Sequence, residues 1–411
     1  MEELKTYRLA DICNSIQTGP FGSQLHKSDY VEFGTPIVMP KDITNGKIND
    51  NNISRISKND VARLFKHKLV PGNIIYPRRG DISKCALITS KEDGWVCGTG
   101  CIKVDINQQI ANSTYVMYVL CQSETVNWIE SNAVGTTMLN LNTSILSDLP
   151  IKLPSLNTQK KLANIVSSFD KKIALNRRIN DNLEQQAQAL FKSWFVDFEP
   201  FKDGKFVETE MGMIPEGWKV VQLGEIIEIS KRIINPQKNP DKIFYHYSLP
   251  ACDNGLIPEI QSGKDIMSNK IILQNNTILF SKLNPRIKRI WFACDVLNDS
   301  ICSTEFIPYR AKNERESVYI YSIINSDSFY ASVLGCVNGA TGSHQRFHAE
   351  DTLGLLFPYK KDIVDKYIDL VKPILAEIHK LRIENKTLAL TRDSLLPRLM
   401  SGELKVNDLN C

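Results

Sequence analysis

Hydrophobic and polar residues follow two rhythms along this chain, and each rhythm occurs twice. In the first 154 residues, short apolar runs at 35–39, 73–76, 86–89 and 100–104 are cut by turn residues and read as strands. Asn45-Gly46 and Arg79-Gly80-Asp81 supply turn signals, and one helical stretch is expected near 113–131. From Thr158 to Phe195 the period changes, with no Gly or Pro. Leu162, Phe169, Asn176, Leu183 and Leu190 recur every seven residues, and Ile165, Ile173, Ile179 and Ala187 fill the adjoining face. That stripe predicts an amphipathic helix long enough for a coiled-coil seam. Lys171, Lys172, Arg177 and Arg178 fall largely off the seam.

After a linker-like stretch at 201–216, a second mixed domain opens near Trp218. It ends in a second helical stretch at about 360–396. Tyr367, Ile374, Leu381, Leu388 and Leu395 again recur every seven, each 205 residues beyond its partner in the first helix. Pro373 should kink this helix or stand in its first turn. Two matched seams argue that the helices pair with each other; the alternative is that each packs on a separate partner protein.

The domains repeat as well. Ile74, Ile75 and Tyr76 match Ile278, Leu279 and Phe280, and Leu149 and Pro154 match Leu353 and Pro358, all at an offset of 204. Tyr7 to Ile12 parallels the opening after Trp218 at an offset of 214, so the copies diverge in their loops. A repeat this long is a domain plus connector rather than a solenoid unit. The expected fold class is α/β (α+β mixed): two globular domains, separated by two long antiparallel helices in an intramolecular coiled coil, with a pseudo-twofold internal repeat. The expected boundaries are 1–156, 157–200 for the first helix, 201–216 for the linker, 217–358, and 359–411 for the second helix and tail.

The composition is that of a globular protein: 42% hydrophobic, 23% charged, net charge +4. A mildly basic total permits nucleic-acid binding without requiring it. No signal peptide and no run of eighteen apolar residues is visible, so a cytoplasmic location is expected. The ten cysteines are scattered and the six histidines lack metal spacing, so buried free thiols are expected and no metal site.

Catalytic motifs are missing. Asn235-Pro236-Gln237 and Asn284-Pro285-Arg286 do not form the Asn/Asp-Pro-Pro-Tyr/Phe loop with which an amino-methyltransferase holds its base. There is no Walker loop and no Gly-x-Ser-x-Gly elbow, and Gly98-Thr99-Gly100 reads as a turn. Binding residues are easier to place. Gln24 and Lys27 follow the loop Thr18-Gly19-Pro20-Phe21-Gly22-Ser23; Arg78 and Arg79 close a strand; Thr136, Thr137 and Asn140 lie in a small-residue loop. The second copy offers Lys282, Asn284, Arg286, Lys288 and Arg289, then Ser343, His344, Gln345 and Arg346. Arg reads guanine edges and Asn or Gln reads adenine, while Lys, Ser and Thr suit phosphates. Polar loops at equivalent places with different side chains suggest one task performed on different DNA letters.

Several motifs then point to a family. Gln159-Lys160-Lys161-Leu162-Ala163, Asp170-Lys171-Lys172-Ile173, Asn176-Arg177-Arg178 and Ala189-Leu190-Phe191-Lys192-Ser193-Trp194-Phe195-Val196-Asp197-Phe198 resemble the central conserved region of type I restriction–modification specificity subunits. Gly217-Trp218 resembles the entry to their second target recognition domain, and Leu395-Leu396-Pro397-Arg398-Leu399-Met400-Ser401-Gly402-Glu403 resembles their distal conserved end. Gly19-Pro20-Phe21-Gly22-Ser23 resembles the opening of one recognition-domain class. The resemblance covers essentially the whole chain.

It implies a non-catalytic prokaryotic protein in which each domain reads one half of a split double-stranded DNA target. The helices would dock two methylation subunits, and Phe191, Trp194, Phe195, Leu396 and Leu399 are the expected partner contacts. S-adenosylmethionine would bind in those subunits, not in this chain, and motor-nuclease subunits could join. A related system with a fused methylase-nuclease, a lone nucleic-acid enzyme and a coiled-coil adaptor that reads no DNA are the alternatives. Helices of about 30 residues span roughly 45 Å at 1.5 Å per residue. That length corresponds to half-sites about 13 base pairs apart.

Overall fold

Every residue of the strand Asn73–Pro77 is buried, as its unbroken apolar centre Ile74-Ile75-Tyr76 demands. In the computed structural model, which describes residues 4–44, 46–135, 139–336 and 346–404, this strand belongs to one of two compact units. One unit comprises 1–172 with 388–411, the other 173–387, so each takes a share of both long helices.

In the first unit, an open antiparallel sheet runs in the order Cys13–Thr18, Cys101–Ile106, Asn73–Pro77, Ala86–Leu87. A second sheet orders Tyr30–Val31, Arg55–Ile56, Thr35–Val38 and Val96–Cys97, with its last pair parallel. Lys5–Arg8 and Pro150–Leu153 pair antiparallel near the ends of the domain. The helix expected over 113–131 is two, Ser113–Leu120 and Ser123–Asn132, because Gln122 returns to extended backbone (φ −75°, ψ 147°). The break lets both pieces bury an apolar face, Tyr115, Val116 and Leu120 from one and Ile129 from the other.

The second unit repeats this plan. Its first sheet runs Ile227–Ile229, Phe306–Ala311, Thr277–Ser281, Ile290–Ala293. Its second contains Ile233–Ile234, Lys270–Ile272, Ser300–Ser303, Ile243–Tyr247 and Glu259–Ser262, again with one parallel pair. Lys219–Gln222 pairs with Leu356–Tyr359.

Strand register fixes the repeat more finely than the sequence does. The offset is 214 at Lys5 and Lys219, and 204 at Ile74 and Ile278. At Leu153 and Tyr359, which pair with Lys5 and Lys219, it is 206. The match of Leu149 with Leu353 is therefore corrected. The Leu9 amide donates to Leu149 O and the Leu223 amide to Leu355 O, each at 2.8 Å, so Leu355 is the counterpart. Three leucines within 353–356 made the sequence match slip by two.

Leu156–Phe195 and Lys361–Met400 are helices of 40 residues each. In the first unit Leu162, Ala163 and Val166 share a core with Leu399 and Met400, and Arg392 donates to Asp170. In the second, Asn176 Nδ2 donates to Glu384 Oε2 at 2.8 Å and to Asn385 Oδ1 at 3.0 Å, Arg382 meets Glu184, and the Phe195 ring stands edge-on to Tyr367. Rising numbers on one helix meet falling numbers on the other, so the pairing is antiparallel within each unit. The buried flank is Val166, Ile173, Asn180 and Ala187. Ile165 and Ile179 fall one residue off that heptad row, about 100° round the helix, and Ile179 is 38% exposed. Pro373 stands on an exposed face inside the second helix rather than in its first turn.

The 201–216 stretch is more ordered than a composition-defined linker. Phe206–Thr209 and Gly212–Pro215 form a hairpin, and Phe198, Phe201, Phe206 and Trp218 fasten it through edge-on ring contacts.

Candidate nucleic-acid interface

One end of the first unit's main sheet gathers three loops. Strand Cys13–Thr18 runs out into Gly19, strand Asn73–Pro77 into Arg78, and strand Cys101–Ile106 starts from the 98–100 turn. The Gly19 amide donates to Cys101 O at 2.9 Å, and the Arg78 amide to Gly100 O at 2.6 Å. A Cβ at Gly19 would overlap the Gly98 carbonyl, so only glycine lets these turns nest. Asn140 and Leu141 join them: Leu141 N–H donates to Arg78 O at 2.9 Å, and Asn140 bridges both Arg79 and Val134.

Arg78 and Arg79, and Asn140 from a separate loop, each expected as a DNA contact, are thus brought together. Arg79 is exposed; Arg78 Nε and Asn140 Oδ1 are buried and unpartnered. Gln24 is exposed, and its Oε1 accepts from the Phe21 amide at 3.1 Å, closing the 21–24 turn. Lys27 is exposed in the turn that follows. Thr136 and Thr137 lie outside the described residues.

The second unit rebuilds this end with different side chains. The Lys282 amide donates to Glu305 O at 2.9 Å, where Arg78 met Gly100. Leu283 bridges Arg346, where Arg79 met Asn140. Arg346 also pairs with Glu305 at 3.0 Å. Asn284 holds a left-handed backbone (φ 49°) with Oδ1 buried and unpartnered, and Arg286 is exposed. Ser343, His344 and Gln345 lie outside the described residues.

Two expected contacts also bond within the fold. Arg289, its side chain 16% exposed, donates to both Asp253 oxygens at 2.6 and 2.9 Å. Lys288 Nζ donates to Asn325 O at 2.7 Å and lies 5.5 Å from the Tyr330 ring centre. Desolvation lowers the Lys288 pKa, although the residue stays exposed.

Three of the five expected partner contacts need correction. Phe191, Phe195 and Leu399 are 4%, 3% and 2% exposed, because their rings and methyls fill the cores that join each helix end to its domain. They offer no surface to a second protein. Trp194 and Leu396 are half-buried, with Trp194 against Phe201 and Tyr367.

Sequence reasoning missed a polar cleft of about 350 Å³ in the second unit, lined by His246, Glu259, Gln261, Lys270 and Ser303 among others. Burial lowers the His246 pKa, although its hydrogen bond with Gln261 opposes the shift. These five residues lie on four strands and share no motif. Cys294, Asp295 and His379 also bring ligand atoms within 4.8 Å of one another, a grouping hidden by their sequence separation. Among the described residues no helix is long and apolar enough to cross a membrane.

Comparisons agree with this frame. The family model for the type I restriction modification DNA specificity domain matches residues 1–185. The chain is 26% identical over 402 residues to the type I restriction enzyme MjaIX specificity subunit of Methanocaldococcus jannaschii, covering 91% of this chain and 88% of that protein. It is 29% identical over 206 residues to the type I restriction enzyme HindI specificity subunit of Haemophilus influenzae, covering 49% of this chain and 43% of that protein. The crystal structure of a type I restriction–modification S subunit from M. genitalium shares the fold, with TM-score 0.58 and 16% identity over 97% of this chain and 96% of that one. Sequence motifs, the family model and these relatives indicate a type I restriction–modification specificity subunit.

Proposed function

We propose that each unit reads one half of a split double-stranded DNA target, and that the chain directs two methylation subunits to adenines there without itself performing chemistry. S-adenosylmethionine binds in those subunits, motor-nuclease subunits join the same assembly, and the complex works in the prokaryotic cytoplasm. The observation that carries this reading is the duplicated loop bridge. Arg79 with Asn140, and Leu283 with Arg346, occupy equivalent backbone positions with different side chains. A shared frame with exchanged hydrogen-bonding groups is what two readers of different sequences need, because base edges differ in donor and acceptor pattern. Gln24, Lys27, Arg78, Arg79, Asn140, Lys282, Asn284, Arg286 and Arg346 are the proposed DNA contacts. The test is selection from a random duplex pool by the chain bound to its methylation subunit. Enrichment of a motif with two fixed halves and an unspecified gap supports the reading; an unenriched pool refutes it.

A further inference from the structure

A turn and a long helix of the second unit bring three metal-ligating groups together. Strand Ile290–Ala293 runs out into Cys294, and Asp295 follows with a left-handed backbone (φ 55°). Successive side chains point to opposite faces of a strand, and this turn breaks that alternation. His379 stands on the helix Lys361–Met400, one turn after Leu375, whose side chain is buried in the core of the unit. One ligand atom from each of Cys294, Asp295 and His379 lies within 4.8 Å of the other two, and His379 Nε2 is 3.9 Å from Asp295 Oδ2.

These spacings are close to those around a bound ion. With bonds of about 2.3 Å to sulfur and about 2.0–2.2 Å to nitrogen and oxygen, the ligands of a tetrahedral zinc stand roughly 3.3–3.6 Å apart. Small side-chain rotations close the difference. The donor set also selects the ion: calcium and magnesium take oxygen ligands, whereas a thiolate with an imidazole suits zinc. Thiolate and carboxylate together balance its two positive charges, so the filled site adds no net charge to a half-buried place. Arg382, whose charge acts on both Cys294 and His379, is itself paired with Glu184.

The groups are reachable from solvent. Cys294 and His379 are half-buried, Asp295 is exposed, and all three line one cavity of about 880 Å³. Three protein ligands leave a fourth position for water, which the cavity supplies. The set is not part of the repeated frame. Phe292 pairs with Ile278 as Leu87 pairs with Ile74, so Cys294 and Asp295 correspond to Thr89 and Ser90. His379 corresponds to Ala174 in the first helix, counted from the helix starts at Lys361 and Leu156.

We propose that Cys294, Asp295 and His379 bind one zinc ion, which clips the main sheet of the second unit to its long helix. This site is independent of the DNA-reading function proposed above.

The test is titration of the full chain, stripped with a chelator, with zinc or with cobalt as its spectroscopic substitute. The wild type should bind one ion per chain, its cobalt form should show a thiolate-to-metal charge-transfer band, and zinc should raise its melting temperature. Cys294→Ser should abolish the band. His379→Gln should lower zinc affinity by at least about 100-fold, beyond the roughly 10- to 100-fold expected of a group that only orients a ligand. Cys336→Ser, at a half-buried thiol outside the site, should keep wild-type binding. Should His379→Gln fail to fold, Asp295→Asn, at a side chain 82% exposed, must show the loss of affinity instead. A wild type that binds no ion, variants at these three positions that bind as the wild type does, or an equal loss in Cys336→Ser overturns the inference and leaves DNA reading intact.

Discussion

Truncating Arg346 and Asn140, separately and together, tests whether equivalent positions serve separate half-sites. Arg346 pairs with Glu305 at 3.0 Å, with side chains 54% and 26% exposed. A pair this open to water contributes about 0–1 kcal/mol to folding, so Arg346→Ala should leave stability nearly unchanged. A bidentate contact to a base edge is worth about 1–3 kcal/mol of discrimination. At about 1.4 kcal/mol per decade, that is roughly a 5- to 150-fold loss of preference at one position. Asn140 occupies the matching bridge in the other unit, so Asn140→Ala should produce the same kind of loss in the other half-site. With no shared partner, the double variant should show the sum of the two losses, within about 0.5 kcal/mol. The assay is equilibrium binding of the complex to duplexes carrying single changes in each half. Loss in both halves from one variant, loss in neither, or strong non-additivity would refute the reasoning.

Other variants probe the frame. Phe195→Ala removes a ring whose centre lies 4.9 Å from Tyr319 and 5.1 Å from Tyr367, and should destabilise the second unit by about 3–5 kcal/mol in urea unfolding; unchanged stability would restore a surface role. Arg289→Ala should lower stability by about 1 kcal/mol, because the Asp253 side chain it holds is half exposed, and leave both half-site preferences untouched in the binding assay. Burial holds the His246 pKa below 6.5, so the unfolded chain takes up the proton first and stability is lost as pH falls through and below 6.5. Thermal melts at descending pH should show that loss, and show less of it in His246→Phe. Adding seven residues to both long helices keeps the heptad and adds about 10 Å of helix. Motif selection should then return a gap longer by about three base pairs.

What was legible in the sequence follows from periodicity. A seven-residue row survives in any antiparallel helix pair, so Leu162, Asn176 and Leu381 announced the seam. An unbroken run such as Ile74-Ile75-Tyr76 announced a covered strand. Loop positions such as Arg78 and Lys282 could be equated because the strands before them match. What was hidden depends on contacts between residues distant in sequence. An aromatic run containing Phe191 and Phe195 reads alike whether it faces a partner or its own core. Arg289 looked like a loop cation until Asp253, 36 residues away, was seen to hold it. The cleft of His246, Gln261 and Lys270 is assembled from separate strands, so no local pattern marks it.

The account's central claim is that one duplicated frame carries two independent readers. Its most direct test is a genome-wide map of modified adenines in cells that express the methylation subunit with and without this chain. The account predicts methylation only when the chain is present, at one motif with two fixed halves around an unspecified gap. Methylation without the chain, or a single uninterrupted motif, would contradict it.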